Sequence, residues 1–189
     1  MIRRIVIAPR WAGRSTSDWY PWITGRLRDR LEVQTLDLPD PQAPTIDAWS
    51  GGIAAALGDD DDALDGVLLV GHSVGCRAML HYLARLRPSV RPALGLCCVA
   101  GWWTVDRPWP TIVPWSEEPL DLARARAAAP RVVTILSDDD PFTSDHRANQ
   151  ALWEARMGAT VEFVPGGKHF NQSAEPAVLE VILRHFAGA

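Results

Sequence analysis

Five residues, Gly71-His72-Ser73-Val74-Gly75, set a serine between two glycines where a continuous apolar run stops and a helix-period run begins. A strand that turns sharply into a helix forces its middle residue into a strained backbone conformation and presents that side chain at the tip of the turn. Glycine is needed on both sides, because a side chain at either position would collide with the adjoining strand or helix. Ser73 is therefore the candidate nucleophile, and the chemistry such a turn serves is acyl transfer. A serine hydroxyl is a poor nucleophile at neutral pH, so it needs a histidine base and a carboxylate to orient that histidine, in the chain order serine, acid, histidine. Both lie downstream. Ser137-Asp138-Asp139-Asp140-Pro141-Phe142 makes a carboxylate-rich turn after one apolar run, and Gly166-Gly167-Lys168-His169-Phe170 follows the next. Asp140 is the candidate acid, since the fixed φ of Pro141 helps set the loop that aims its carboxylate, and His169 is the candidate base. In isolation Asp140 reads as a turn residue or helix cap and His169 as a loop histidine; their order after Ser73 raises them together.

The rival groups are weaker. His72 adjoins Ser73 but points away from it, His81 lies on the same helix as Ser73, and His146 and His185 fall inside later helices, so all four read as packing or surface residues. Lys168 would make a serine-lysine pair, yet a solvated lysine titrates near ~10.4 and is protonated at neutral pH, whereas histidine titrates near ~6.5. Cys76 sits one helical turn past Ser73 and is expected to pack under the site. An oxyanion needs two backbone donors, expected from the N–H of Val74, the residue after the nucleophile, and from the loop Pro9-Arg10-Trp11-Ala12-Gly13, where Trp11 is the choice. No His-Glu-x-x-His run or comparable ligand cluster occurs, so no metal and no cofactor is expected.

These groups must be held by elements that the hydrophobic pattern locates. Short apolar runs bounded by turn residues span 2–8, 31–38, 66–70, 93–100, 131–136 and 160–164, each of strand length. Between them, helical-period stretches cover 18–31, 45–57, 73–86, 120–129, 144–157 and 174–186. Runs such as Val67-Leu68-Leu69-Val70 are apolar throughout, as expected of strands covered by helices on both faces of a parallel sheet. The fold class is thus α/β. Two segments interrupt the alternation. Asp59-Asp60-Asp61-Asp62 lacks the alternating ligand spacing and glycine of a calcium loop and reads as a solvated turn. Residues 101–119 hold Trp102, Trp103, Trp109 and Trp115 among prolines, a composition too rich in proline for a helix and too aromatic for plain surface. Following the fourth strand at its carboxyl end, these four indoles are candidates for the wall of the acyl pocket.

Composition sets the limits. A chain of 189 residues fits one domain, 1–189, and 47% hydrophobic with 22% charged residues is too apolar for disorder and too interrupted by charge for a bilayer span. A net charge of -4 argues against nucleic acid as a partner. The start, Met1-Ile2-Arg3-Arg4-Ile5-Val6-Ile7, carries a shorter apolar run than the ~7 to 15 residues of a signal peptide, so a cytoplasmic location is expected. Three cysteines, with Cys97 and Cys98 adjacent, make neither a disulfide framework nor a zinc site and read as buried small hydrophobes.

The chain resembles the α/β-hydrolase superfamily, and within it the small single-domain serine hydrolases of the YdeN group, which includes the retinoblastoma-binding serine hydrolase. The resemblance spans nearly the whole chain. It rests on the Pro9 turn, Trp19-Tyr20-x-Trp22, Leu38-Pro39-Asp40-Pro41, the 71–75 motif, Asp139-Asp140-Pro141-Phe142 and His169-Phe170. It implies a three-layer sandwich whose six-stranded parallel sheet has the order 2-1-3-4-5-6, helices on both faces and no large cap. It also implies a triad of Ser73, Asp140 and His169. Two positions depart from the family pattern: Arg10 stands where a glycine usually follows the proline, and Ser137 where a glycine usually precedes the acid by three. The expected activity is cofactor-independent hydrolysis of a small-molecule carboxylic ester or related acyl compound through an acyl-enzyme. A thioesterase or acyltransferase would use the same residues, and a binding or regulatory module could retain the fold while using its surface for a protein partner, which the sequence leaves unspecified.

Overall fold

Alternate residues of the central strands belong to two separate apolar cores, which makes the sheet the middle of three layers. The computed structural model describes residues 1–58 and 60–187. Its strands are β1 (Arg4–Ala8), β2 (Glu32–Thr35), β3 (Val67–His72), β4 (Gly95–Val99), β5 (Val132–Leu136) and β6 (Thr160–Phe163). They pair in parallel in the order β2-β1-β3-β4-β5-β6. Helices α1 (Tyr20–Leu27) and α7 (Pro176–Phe186) cover one face, where Ile5, Ile7, Leu68, Val70, Cys97 and Val99 meet Tyr20, Ile23, Val178 and Phe186. The other face carries α2 (Ile46–Leu57), α3 (Val74–Arg85), α5 (Leu122–Ala128) and α6 (His146–Met157), with Val6, Leu69, Leu96 and Cys98 packed on Trp49, Ile53, Met79, Ala125 and Trp153. Each buried Leu, Ile or Val contributes about 1.5–3 kcal/mol relative to leaving it in water, so both faces must be covered for the sheet to persist.

The sheet order that the resemblance implies is the observed one; the differences lie at boundaries and have local causes. The first helix begins at Tyr20 because Asp18 takes a left-handed φ of 49° and cannot lie within it. The third strand continues two residues beyond Val70, since Gly71 and His72 still pair with Cys98 and Val99 of β4. The prolines of residues 101–119 argue against a helix, yet the segment contains the short α4 (Val113–Glu117). Pro114 sits in its first turn, where the missing N–H costs nothing. The connection from β4 to β5 holds only α4 and α5, so no large cap is inserted. Asp59 lies outside the described residues; Asp60, Asp61 and Asp62 are exposed, with Asp62 paired to Arg91 at 3.0 Å. Among the described residues no helix is long and apolar enough to cross a membrane.

Candidate active site

The turn from β3 into α3 is built as the glycine spacing requires. Ser73 has φ 55° and ψ -120°, a strained conformation, and its N–H is held by the Val99 carbonyl at 2.8 Å. A Cβ on Gly71 would lie 2.5 Å from Cys76 Cα, and one on Gly75 would lie 2.3 Å from the Ala8 carbonyl oxygen and 2.6 Å from that of Pro9. Both contacts are with backbone, so only glycine lets strand, turn and helix close this tightly. The Trp102 indole N–H donates to Ser73 Oγ at 3.4 Å, a long bond that leaves the hydroxyl proton free for another acceptor.

Three consecutive aspartates after β5 all bind the loop after β6. Asp138 accepts the Gly166 N–H at 2.9 Å, Asp139 accepts the Lys168 N–H at 2.7 Å, and Asp140 Oδ2 lies 2.8 Å from His169 Nδ1. Asp140 Oδ1 accepts the Phe142 N–H at 2.9 Å, which fixes the carboxylate plane. A carboxylate accepts, so His169 donates from Nδ1, and in the neutral ring this tautomer leaves Nε2 as the acceptor. Ser137, the second departure from the family pattern, donates its hydroxyl to Asp139 at 2.6 Å and is the largest cause holding the Asp139 pKa below its usual value, with the Lys168 N–H adding to it. Lys168 and Phe170, on either side of His169, both take left-handed φ values of 50° and 54°. The Lys168 side chain is exposed. Ser73, Asp140 and His169 are each at least nine-tenths buried, and Ser73 and His169 open onto one cleft.

The first departure, Arg10, also has a defined task. Its guanidinium makes a two-pronged pair with Asp18 at 2.7 and 3.0 Å and donates to the Trp11 carbonyl at 2.8 Å. The Arg10 carbonyl accepts from the Gly13 N–H at 2.9 Å. Because the peptide is planar and trans, this sets the Trp11 N–H on the opposite side of the chain. Trp11 and Val74 both line the cleft that Ser73 opens onto.

That cleft has a volume of about 310 Å³ and apolar walls. Of the four indoles expected there, Trp102 and Trp109 line it. Trp103 does not: it is clamped between the guanidinium groups of Arg77 at 4.3 Å and Arg156 at 4.7 Å, with its backbone N–H on Asn149. Trp115 does not either. It packs edge-on against Trp49 and His81 and donates its indole N–H to the Pro44 carbonyl. Their places are taken by the Trp11 ring, set edge-to-face on Trp109 at 5.4 Å, and by Val105, Ile112 and Phe142. Phe142 was within reach of sequence reasoning, since it follows the Asp140-Pro141 turn directly. Of the remaining histidines, His81 is buried, which drives its pKa down to about 4. His185 pairs with Glu162 far from Ser73 in the sheet order. Among the described residues no group of three or more His, Cys, Asp or Glu is placed to hold a metal ion.

A parallel sheet in this order, with the Gly-x-Ser-x-Gly turn leaving its third strand and the turns that carry Asp140 and His169 leaving its last two, has the architecture of the α/β-hydrolase fold. The family model described as Serine hydrolase matches residues 5–187, and the chain belongs to that family. YdeN of Bacillus subtilis (strain 168) is 24% identical over 196 residues, covering 99% of this chain and 98% of its own. The crystal structure of the B. subtilis ydeN gene product superposes with a TM-score of 0.81 at 23% identity, over 98% of this chain and 99% of that one. More distant likenesses of fold include a carboxylesterase structure from Nitrososphaera gargenis, with a TM-score of 0.71 at 13% identity over 99% and 90% of the two chains. The RedJ thioesterase of the prodiginine pathway in Streptomyces coelicolor gives 0.66 at 19% identity over 98% and 89%.

Proposed function

We propose that this serine hydrolase cleaves a small-molecule carboxylic ester or related acyl compound through an acyl-enzyme on Ser73. The observation that carries the reading is the His169 ring, held by Asp140 through Nδ1 in a cleft that also contains Ser73. Ser73 Oγ attacks the carbonyl carbon as His169 Nε2 removes its proton, and Asp140 stabilises the imidazolium that forms. The negative charge on the former carbonyl oxygen is met by the N–H groups of Val74 and Trp11. Collapse of this intermediate expels the alcohol, which takes the proton from His169. Water then repeats the sequence: His169 removes its proton, its oxygen bonds to the acyl carbon, and the Ser73 oxygen leaves and regains its proton.

Burial of Asp140 and His169 strengthens this electrostatic arrangement, because little water competes for the carboxylate. The cleft's charged side chain, Arg10, is already committed to Asp18, so the site favours a neutral acyl group. Its volume of about 310 Å³ is at the low end for ligand pockets, which favours short acyl chains over lipid-length ones. A p-nitrophenyl series from acetate to palmitate tests this, with matched acyl thioesters alongside to set ester against thioester. Acetyl or butyryl esters should turn over fastest; faster turnover of the long chains contradicts the size argument, and faster turnover of the thioesters assigns the enzyme to that chemistry.

A further inference from the structure

The histidine next to the nucleophile is fully buried and has no part in the acyl-transfer steps. His72 Nε2 lies 2.8 Å from the His169 backbone carbonyl and its Nδ1 lies 2.7 Å from the Tyr20 hydroxyl. A carbonyl has no proton to give, so Nε2 donates. Burial holds the His72 pKa well below the usual histidine value, and the nearby His169 acts in the same direction. The ring is therefore neutral, Nδ1 is a bare acceptor, and the Tyr20 hydroxyl must donate to it. Burial likewise raises the Tyr20 pKa, so that proton stays in place. The Tyr20 oxygen in turn accepts the Arg10 backbone N–H at 3.1 Å. Every proton in the chain is thereby assigned: Arg10 N–H to Tyr20, Tyr20 O–H to His72, His72 N–H to the His169 carbonyl.

Its two ends are functionally distinct. One is the residue whose peptide carries the Trp11 N–H; the other is the residue that carries the candidate base. The middle, His72, is bonded through the backbone to Ser73. Trp19 packs against both links, with ring centroids 4.8 Å from Tyr20 and 5.8 Å from His72. The His169 loop needs such support, because the residues on both sides of it hold left-handed φ values. We infer that Tyr20 and His72 are positioning residues, a buried hydrogen-bonded strut that fixes the separation of the oxyanion loop and the His169 loop across Ser73. For catalysis this rests on the hydrolase reading above.

The test uses Tyr20→Phe, His72→Asn, His72→Gln and the double variant Tyr20→Phe/His72→Asn, each checked for folding by its melting temperature. A glutamine amide nitrogen reaches about as far as Nε2 and keeps the bond to the His169 carbonyl; asparagine is too short to do so. With p-nitrophenyl butyrate, Tyr20→Phe and His72→Asn should each lower kcat about 10–100-fold with KM little changed, as expected for misplacing groups that act in the transition state. The double variant should be no worse than His72→Asn alone, since both cut one chain. His72→Gln keeps the bond to the His169 carbonyl but has no acceptor at the Nδ1 position for the Tyr20 hydroxyl, so it should lose about as much rate as Tyr20→Phe. The His169 Nδ1–H resonance in the proton NMR spectrum, sharp in the parent protein, should vanish through exchange with water in His72→Asn. Additive losses, or a glutamine variant as fast as the parent, would overturn the strut. If the parent turns over no ester, the hydrolase reading fails, and the resonance still decides: its persistence in His72→Asn refutes the strut. Should His72→Asn fail to fold, Tyr20→Phe, which deletes a single oxygen, carries the test by the same readouts.

Discussion

Replacing Gly75 with alanine puts a methyl carbon 2.3 Å from the Ala8 carbonyl oxygen and 2.6 Å from that of Pro9. Ordinary contact begins near 3.4 Å, so the start of α3 and the end of β1 must part by about 1 Å. Neither side is free to yield. Ala8 is paired with Gly71 in the sheet, and Gly75 lies in the first turn of α3, two residues after Ser73. The separation moves the Ser73 hydroxyl and the Val74 N–H away from the loop that carries Trp11. Overpacking of this kind costs about 1–3 kcal/mol of stability. A misplacement of ~1 Å in the reacting groups costs about 100-fold in rate, near 2.7 kcal/mol of transition-state stabilisation. The assay is kcat/KM on p-nitrophenyl butyrate beside a urea melt. Gly51→Ala is the control, since nothing lies within 4 Å of its added Cβ in α2; it should keep full activity and gain about 0.5–1 kcal/mol. A folded Gly75→Ala protein with activity within threefold of the parent would refute the reasoning.

Further outcomes follow from the same geometry. Asp140→Asn should lower kcat about 10⁴-fold through the wrong histidine tautomer, while Asp138→Asn and Asp139→Asn keep an oxygen for the Gly166 and Lys168 N–H groups and should lose far less; a larger loss at Asp139 than at Asp140 in steady-state assays reassigns the acid. Trp109→Ala should change the preference among acyl chain lengths, whereas Trp115→Ala, outside the cleft, should cost about 3–5 kcal/mol of stability and leave that preference alone. Unchanged preference in Trp109→Ala would remove it from the pocket wall. His81 titrates at about 4 in the folded chain, against ~6.5 unfolded. Between those values the unfolded state holds a proton that the folded state lacks, so stability falls as pH drops through the window, by up to about 1.4 kcal/mol per pH unit. Urea midpoints at pH 7 and pH 5 should therefore differ less in His81→Phe than in the parent; equal differences count against a buried neutral ring.

What was legible in the sequence was what local geometry dictates. The 71–75 turn constrains five adjacent residues, and the strands reveal themselves because a parallel sheet covered on both faces needs continuous apolar runs. The order serine, acid, histidine then follows from the order in which those strands end. The four indoles after β4 look alike in sequence, and only distant partners separate them: Arg77 from α3 and Arg156 from α6 draw Trp103 out of the cleft, while Trp49 and His81 hold Trp115. In sequence His72 looks like a packing or surface residue because its partners, Tyr20 and the His169 carbonyl, lie 52 and 97 residues away in the chain. Asp138 and Asp139 likewise act on a loop that no spacing rule links to them. The short α4 is hidden in the sequence because prolines normally break helices, whereas Pro114 occupies a first-turn position that tolerates it.

In the proposed mechanism Ser73 is a nucleophile activated by His169. The most direct measurement is reaction with a fluorophosphonate probe, followed by mass spectrometry of the digested protein. One adduct on the peptide containing Ser73 is predicted, formed many times more slowly in a folded His169→Ala variant and absent from Ser73→Ala, which should also lose esterase activity. An adduct on a different residue, or esterase activity that survives Ser73→Ala, would contradict it.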